Sequence, residues 1–384
     1  MIPYGRQSID AADIEAVVEV LRSDFLTQGP AVPAFEKAIA DYCGAPHALA
    51  FNSATSALHA GCLALGLGPG DRLWTSPNTF VASANAARYC GADVDFVDVE
   101  LATGNMSVAA LEQKLASAAA AGKLPKIVIP VHFSGYACDM PSIGRLAARY
   151  GFRVIEDASH AIGARHAGGR VGDCKDSDIA VFSFHPVKIV TTGEGGATTT
   201  RDPDLARRLA LFRSHGTTRD PAQMTHASDG GWYYQQIELG FNYRITDIQA
   251  ALGRSQLARI EALLARRRAL VKRYRVLLRD LPMELPDTRA DEWSAWHLFV
   301  IRLTGRHASR RREVYDALRA AGIGVNVHYI PVHLQPYYRE LGFQDGNFPQ
   351  AEQHYASALT LPLFPGLTDA AQDTVAGALR AALG

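Results

Sequence analysis

The sequence predicts an α/β protein, in which a large, mostly parallel sheet with helices on both faces is followed by a smaller α+β domain. From about residue 47 onward, short β-rich runs alternate with helical segments, which is the order typical of such sheets. At roughly 100–200 residues per domain, a chain of 384 residues has room for two or three domains. The composition changes near residues 255–285, and we place a domain boundary there.

The elements of the large sheet follow from two periodicities. Runs of β-branched and aromatic residues bounded by turn residues predict strands, and apolar residues at helical spacing predict the helices between them. The predicted strands are His47–Phe51, Arg72–Pro77, Asp93–Val99, Lys126–His132, Arg153–Ser159, Asp178–Phe184 and Ala197–Thr200. The predicted helices are Ala54–Leu65, Thr79–Cys90, Ser107–Ala121 and Pro141–Tyr150.

The remaining elements define the domain boundaries. A long helix rich in Ala, Leu and Arg is predicted from Ile245 to about Leu281, and a strand follows at Leu298–Leu303. A further helix is predicted at Asp10–Arg22. We expect residues 1–25 to form an N-terminal segment that packs on the small domain, residues 26–265 to form the large domain, and residues 266–384 to form the small C-terminal domain.

Composition excludes several classes of protein. Lys and Arg together number 39, as do Asp and Glu, and the charges are interleaved, which argues against binding to nucleic acid or to a membrane surface. No apolar run approaches the roughly 18 residues of a membrane span. Residues 1–6 lack a secretory signal pattern, and we expect a cytoplasmic protein. The five cysteines form no C-x-x-C pair and are predicted to be small core residues.

A first candidate site lies in the segment Phe51–Leu58, where a predicted strand passes into a helix through small polar residues. Such a junction presents backbone N–H groups and hydroxyls at the positive end of a helix dipole, an arrangement that binds phosphate. The alternative is an ordinary Ser or Thr helix cap.

A second candidate is Glu156-Asp157, which ends an apolar strand and is followed by His160. The carboxyl edge of the sheet is where α/β proteins bind ligands. A buried Asp there needs a cationic partner, and a pyridinium nitrogen would serve, because the opposed carboxylate keeps the ring protonated and able to withdraw electrons. The alternatives are a helix cap and a structural ion pair.

The third candidate is Lys188, which follows the strand end at Ser183-Phe184 and precedes the glycine pair Gly195-Gly196. A lysine enclosed at the end of a sheet has a lowered pKa, so that its free amine can form a Schiff base with an aldehyde. The alternative is a solvated surface lysine, and the flanking residues favour the enclosed one.

Two later segments support these candidates. Residues 240–249 form a turn rich in polar and aromatic groups that leads into the long helix, and residues 327–333 place His328 and His333 beside aromatic and proline residues. A zinc site would need more ligands at suitable spacing, so we expect no metal.

Together the motifs resemble the fold-type-I pyridoxal-phosphate enzymes, whose fold is like that of aspartate aminotransferase. In detail they resemble the DegT/DnrJ/EryC1/StrS family of sugar-nucleotide aminotransferases, and the resemblance covers nearly the whole chain. Its signatures here are residues 52–58, Glu156-Asp157 with His160, residues 183–188, residues 194–196, and residues 241–244 with 248–253.

The resemblance implies a role for each candidate residue. Lys188 would form the Schiff base with pyridoxal 5′-phosphate and shuttle the proton, and Asp157 would pair with the pyridinium nitrogen. The phosphate would be held by Ala54, Thr55 and Ser183, with Asn242 reaching in from a second subunit of a homodimer. Phe80 would stack on the ring face, and His160 would lie near the ring oxygen. The residues implied to line the sugar-nucleotide pocket are Tyr4, Leu26, Thr27, Arg244, His328 and Tyr329.

Within the family, residues 26–30, 182–192, 211–216 and 327–329 look most like the branch of pseudaminic acid biosynthesis. That branch aminates the C4 ketone of a UDP-linked 2-acetamido-2,6-dideoxy hexosulose, UDP-4-keto-6-deoxy-N-acetylhexosamine, to UDP-4-amino-4,6-dideoxy-N-acetyl-β-L-altrosamine, with L-glutamate leaving as 2-oxoglutarate. The alternatives are related 4-aminotransferases of the legionaminic acid, bacillosamine or 4-amino-arabinose pathways. The sugar 3-dehydrase branch carries His in place of the lysine, so Lys188 argues against it.

A DNA-binding regulator of this fold would need a basic module that the charge balance does not supply.

Overall fold

The computed structural model describes residues 1–166, 168–287 and 293–384. Its strands are β1 His47–Phe51, β2 Arg72–Thr75, β3 Asp93–Phe96, β4 Ile127–Ile129, β5 Arg153–Asp157, β6 Arg165–His166, β7 Gly169–Arg170, β8 Ile179–Ser183, β9 Gly196–Thr200, β10 Thr217–Thr218, β11 Gln235–Gln236, β12 Met283–Glu284, β13 Phe299–Leu303 and β14 Ala358–Leu361. Its helices are α1 Ala11–Leu21, α2 Ala31–Cys43, α3 Ala54–Ala64, α4 Ala82–Tyr89, α5 Val108–Ala120, α6 Met140–Tyr150, α7 Pro203–Arg213, α8 Asp247–Ala258, α9 Ile260–Leu278, α10 Arg311–Ala320, α11 Pro336–Arg339, α12 Pro349–Ser357 and α13 Asp369–Leu383.

The large sheet has the strand order β1-β9-β8-β5-β4-β2-β3. Strands β8, β5, β4, β2 and β3 pair in parallel, whereas β9 pairs antiparallel with both of its neighbours, β1 and β8. The predicted α/β class with a mostly parallel sheet is therefore confirmed. Parallel pairing brings the carboxyl ends of β5 and β8 to one edge of the sheet, where their polar residues meet.

Both faces of the sheet are covered by helices, because strands such as β8 carry apolar side chains on both faces. Ile179 and Val181 pack into one apolar cluster together with α3, α4 and α7, whereas Ala180 and Phe182 pack into a second cluster with α2 and α8. Successive residues of a strand point to opposite faces, so a strand that is apolar throughout must be buried on both sides.

Four of the predicted strands extend too far, and one predicted helix is divided in two. Strands β2, β3, β4 and β5 end at Thr75, Phe96, Ile129 and Asp157, two or more residues before the predicted ends. Beyond these points Val131 and Ser159 line the cavity. The long predicted helix is two helices, because α8 ends at Ala258 and the backbone of Arg259 departs from helical geometry at φ −111° and ψ 15°.

Helix α9 contributes to two apolar clusters. Ile260 and Leu264 pack in a cluster of the large sheet, whereas Leu270 and Tyr274 pack against β13 and β14. The small sheet, β12-β13-β14, is antiparallel throughout, and its cluster includes residues of α10 and α13.

The N-terminal segment makes contacts in two directions. Ile2 forms a bridge to Ile323, beside the small sheet, whereas α1 packs against α8 through a buried Asp13 that accepts a hydrogen bond from Ser255. The division of the chain at residues 25 and 265 stays a prediction.

No helix within the described part of the chain is long and apolar enough to cross a membrane. All five cysteines are buried and free, which confirms their prediction as small core residues.

Candidate active site

A cavity of about 490 Å³ opens at the carboxyl ends of β5 and β8, between the large sheet, the N-terminal segment and residues 326–329. It brings together ten of the residues singled out from the sequence, although these lie far apart along the chain. They are Tyr4, Ala54, Thr55, Phe80, Asp157, His160, Ser183, Lys188, His328 and Tyr329.

The floor of the cavity includes the amino end of helix α3. Ser53 caps this helix, with its hydroxyl accepting a hydrogen bond from the Ser56 N–H at 3.1 Å. The N–H groups of Ala54 and Thr55 belong to the first turn, which has no acceptor within its own helix. Gly196 lies directly against this turn, since a Cβ atom there would come within 2.5 Å of the Ala54 nitrogen. The close approach keeps the helix terminus open to an anion, as a phosphate site requires.

Asp157 ends strand β5 and is 6% exposed. One carboxylate oxygen, Oδ2, accepts a hydrogen bond from the Ser83 hydroxyl at 2.6 Å, and Oδ1 accepts one from the Ser159 N–H at 3.1 Å. These two bonds orient the carboxylate at the cavity, where it can face a cationic ring nitrogen.

The neighbouring Glu156, by contrast, has a structural role. Its buried carboxylate lies 2.8 Å from Nε2 of His132 and accepts a bond from the Ser177 hydroxyl. His132 Nδ1 accepts from the Cys138 N–H, so the imidazole proton lies on Nε2 and is donated to Glu156. Glu156 is thus fully partnered below the cavity, and Asp157 faces into it.

Lys188 lies in the turn that follows β8, where its N–H donates to the His185 carbonyl at 2.9 Å. Burial of the amine lowers its pKa to about 8, and the negative charge of Asp157 opposes this effect. About a tenth of the amine is therefore uncharged at pH 7, far more than for an ordinary lysine. The glycine pair then returns the chain into β9, as the sequence indicates.

Three imidazoles surround the lysine amine. His160 lies 3.0 Å from the Tyr329 hydroxyl through Nε2, and its ring centroid is 4.5 Å from that of His297. His328 lies 2.8 Å from the Thr360 hydroxyl through Nδ1. Burial, reinforced by the charge of Lys188, holds the pKa of His160 and His297 well below the usual range and lowers that of His328 to about 3. All three rings are therefore neutral hydrogen-bonding groups at neutral pH.

Phe80 and Tyr4 form the mouth of the cavity. The Phe80 ring is 60% exposed and lies 6.4 Å from the Tyr329 ring, so one face is free to stack on a planar ligand. Tyr4 packs its ring 5.7 Å from that of His328.

The other four predicted residues do not line this cavity. Leu26 and Thr27 are exposed, and the Leu26 carbonyl accepts from the Asp247 N–H at the start of α8. Asn242 is exposed and forms a bridge to Ser214, whereas Arg244 is half-buried and forms a bridge to Phe51.

Several residues that line or support the cavity were not predicted from the sequence. Among them, Ser83 binds Asp157, Asn78 accepts from the Tyr329 N–H at 3.2 Å, and His297 and Asn326 line the wall. Ser83 falls within a predicted helix, and no local pattern distinguishes the other three.

The cavity has the groups that pyridoxal phosphate would need: an open helix terminus for its phosphate, a carboxylate for its ring nitrogen, and a partly uncharged amine for its aldehyde. Within residues 1–166, 168–287 and 293–384, no group of three His, Cys, Asp or Glu side chains could hold a metal ion.

Comparisons with known proteins agree in family and fold. A model described as the DegT/DnrJ/EryC1/StrS aminotransferase family matches residues 7–380. The spore coat polysaccharide biosynthesis protein SpsC of Bacillus subtilis is 38% identical over 99% of this chain and 96% of its own. The UDP-4-amino-4,6-dideoxy-N-acetyl-β-L-altrosamine transaminase of Campylobacter jejuni is 36% identical over 94% of this chain and 92% of its own. The structure of Helicobacter pylori PseC, an aminotransferase involved in pseudaminic acid biosynthesis, superposes with a TM-score of 0.91 at 29% identity, covering 100% of this chain and 99% of PseC.

Proposed function

The chain belongs to the DegT/DnrJ/EryC1/StrS aminotransferase family, and on this premise we propose that it moves the amino group of L-glutamate to the C4 ketone of a UDP-linked 2-acetamido-2,6-dideoxy-4-hexosulose. The product would be UDP-4-amino-4,6-dideoxy-N-acetyl-β-L-altrosamine, the amino sugar of pseudaminic acid biosynthesis. The proposed location is the cytoplasm.

The protein is a sugar aminotransferase that uses pyridoxal 5′-phosphate. When bound, this cofactor withdraws electrons from the reacting carbon, which allows an amino group to leave one substrate and join another. Both substrates must therefore reach the same site in turn. The observation that carries the proposal is the placement of the Lys188 amine and the Asp157 carboxylate in one cavity with the open terminus of helix α3.

The residues of the chain divide the work as follows in this proposal. Lys188 would hold the cofactor through its aldehyde and would carry the proton at the reacting carbon, for which an amine with a pKa of about 8 is suited. Asp157, oriented by Ser83 and Ser159, holds the ring nitrogen in its protonated form. The first turn of α3 and the Ser183 hydroxyl bind phosphate.

The choice of substrate is supported by the 36% identity to the C. jejuni transaminase and by the structural likeness to PseC. The alternative is a 4-aminotransferase that acts on another nucleotide 4-keto sugar. The 38% identity to SpsC, a protein of spore coat polysaccharide biosynthesis, supports that alternative.

The protein should be incubated with L-glutamate and a panel of UDP-4-keto sugars, and the products analysed by mass and by NMR of the sugar ring. Amination at C4 of the 2-acetamido-2,6-dideoxy substrate, with the L-altro configuration, is expected. Exclusive turnover of a different keto sugar would establish the alternative. Lys188→Ala is the matched negative control for each substrate.

We also propose that the active site is completed by a second subunit of a homodimer. Asn242 and Arg244 lie outside the lining of their own chain's cavity, which is consistent with a role in the cavity of a partner. Mixing inactive Lys188→Ala with inactive Asn242→Asp subunits should then restore up to half of the wild-type activity per mixed dimer, because one of the two sites carries neither substitution. If subunits exchange and no activity returns, Asn242 acts within its own chain.

A further inference from the structure

Arg267 in helix α9 is 1% exposed and ranks among the largest fully buried side chains. Its Nη1 donates to the carbonyl oxygens of Trp296 at 3.1 Å, His297 at 3.3 Å and Leu363 at 3.1 Å. Nothing in the described part of the chain supplies a carboxylate within ion-pair distance of it. Burial lowers its pKa to about 10, so the guanidinium remains charged at neutral pH.

A buried cation without an anionic partner is costly, and an apolar side chain of similar size would fill the same space at less cost. Stability of the core alone therefore does not account for an arginine at this position. The three carbonyl oxygens that Arg267 binds indicate its role.

Two of those carbonyls belong to segments that form the cavity. His297 lines the cavity itself, and the Leu363 N–H donates to the carbonyl oxygen of Tyr4 at 3.0 Å. Tyr4 lines the same cavity. One nitrogen of Arg267 thus holds together the ends of the paired strands β13 and β14, where His297 precedes β13 and Leu363 follows β14, and Leu363 in turn binds Tyr4.

We propose that Arg267 is a positioning residue of the active site, which fixes the walls that carry His297 and Tyr4 and places a positive charge behind the His297 ring. The groups that act most strongly on the His297 ring are Lys188, His160, Arg267 and His328, and each of them lowers its pKa. The carboxylates of Asp157 and Glu194 line the same cavity. Burial, followed by these groups, keeps the pKa of His297 well below its usual range, and its Nδ1 is buried without a partner. The ring is thereby available as a neutral hydrogen-bonding group for a polar substrate.

The kinetic test compares Arg267→Met with Arg266→Met. Arg266 is the adjacent residue of α9 and also donates to carbonyl oxygens of the C-terminal segment, those of Pro365 and Leu367, but neither lines the cavity. We expect Arg267→Met to retain bound cofactor with its visible absorption and to raise KM for the keto sugar about tenfold, the loss typical of a charged hydrogen bond. Arg266→Met should change KM by less than about twofold.

A second readout is independent of turnover. In protein with ¹³C-labelled histidine and bound cofactor, the His297 signal is identified by its loss in His297→Gln. It should titrate at higher pH in Arg267→Met than in wild type, because a positive charge behind the ring has been removed. In Arg267→Lys, which keeps the charge but not the planar donor geometry, the titration should be unchanged while KM still rises.

Unchanged KM and unchanged titration in Arg267→Met would overturn the proposal. If Arg267→Met does not fold, Arg267→Lys provides the test. A wild-type KM in Arg267→Lys would contradict the positioning role. The choice of sugar rests on the proposed function. Failure of the wild-type protein to use any keto sugar would refute that function, whereas the histidine titration would still test Arg267.

Discussion

The two sides of the active-site cavity differ in origin and in charge. The sheet side is built from strand ends and the start of α3, and it carries the charged pair Lys188 and Asp157. The opposite side comes from the N-terminal segment and from residues 297–329, and its Tyr4, His297 and His328 are held neutral by burial. From this difference we expect the sheet side to carry the reaction and the opposite side to determine how well the substrate fits. Substitutions on the first side should lower kcat, and those on the second should raise KM.

The largest expected effect is that of Lys188→Ala. It removes both the nucleophile and the proton carrier, so kcat should fall by at least about four orders of magnitude. The variant should still bind pyridoxal phosphate through α3. In the wild type, borohydride reduction should attach the cofactor to the peptide that contains Lys188. Attachment of the cofactor to another lysine would show that Lys188 is not the reactive residue and that the reaction does not depend on the sheet side.

Asp157→Asn should have the next largest effect, lowering kcat by about two to three orders of magnitude while leaving the thermal midpoint of unfolding nearly unchanged. An amide cannot stabilise the protonated ring nitrogen. Ser83→Ala, which removes only the hydrogen bond to Oδ2, is the control and should lower kcat far less. Near-normal turnover in Asp157→Asn would show that the carboxylate is a structural cap.

On the opposite side, Tyr329→Phe should raise KM about tenfold with little change in kcat, because it leaves Nε2 of buried His160 without its hydrogen bond. Steady-state kinetics with both substrates separates the two constants. If Tyr329→Phe lowered kcat and left KM unchanged, the two sides of the cavity would not differ in the kinetic constant that they affect.

The smallest effect concerns pH. The rate at which cofactor-free protein recombines with pyridoxal phosphate should rise with pH and level off above about 8, since only the uncharged Lys188 amine reacts. Asp157 raises this pKa, so Asp157→Asn should level off at lower pH. Stopped-flow absorbance measures both profiles. An unshifted profile would mean that the two charges do not interact.

The sheet side could be predicted from the sequence and most of the opposite side could not, for a physical reason. Asp157 ends one apolar strand and Lys188 lies in the turn that follows another, so local pattern and the geometry of parallel sheets place them at one edge. The wall positions 4, 297 and 326 are brought together by packing between distant segments, which leaves no local spacing to recognise. Tyr4 was found only through the family resemblance, whereas residues 327–333, which include His328 and Tyr329, were also indicated by their own composition.

The predicted ends of several strands and helices were wrong for a related reason. The predicted strands run on to Pro77 and Val99, yet the ladder pairs of β2 and β3 end at Thr75 and Phe96. The break after Ala258 was also invisible in a helix-favouring sequence. Its Arg259 binds Asp13 and the Ser8 carbonyl of the N-terminal segment, and such long-range contacts override local propensity.

Helix α9, which packs Ile260 and Leu264 into one core and Leu270 and Tyr274 into another, has a consequence for how the molecule comes apart. Melting either core removes the packing that stabilises half of this helix, and an isolated half would be too short to persist in water. The two cores should therefore lose their structure together, in one cooperative transition, and a proteolytic fragment that ends within α9 should not be a stable product.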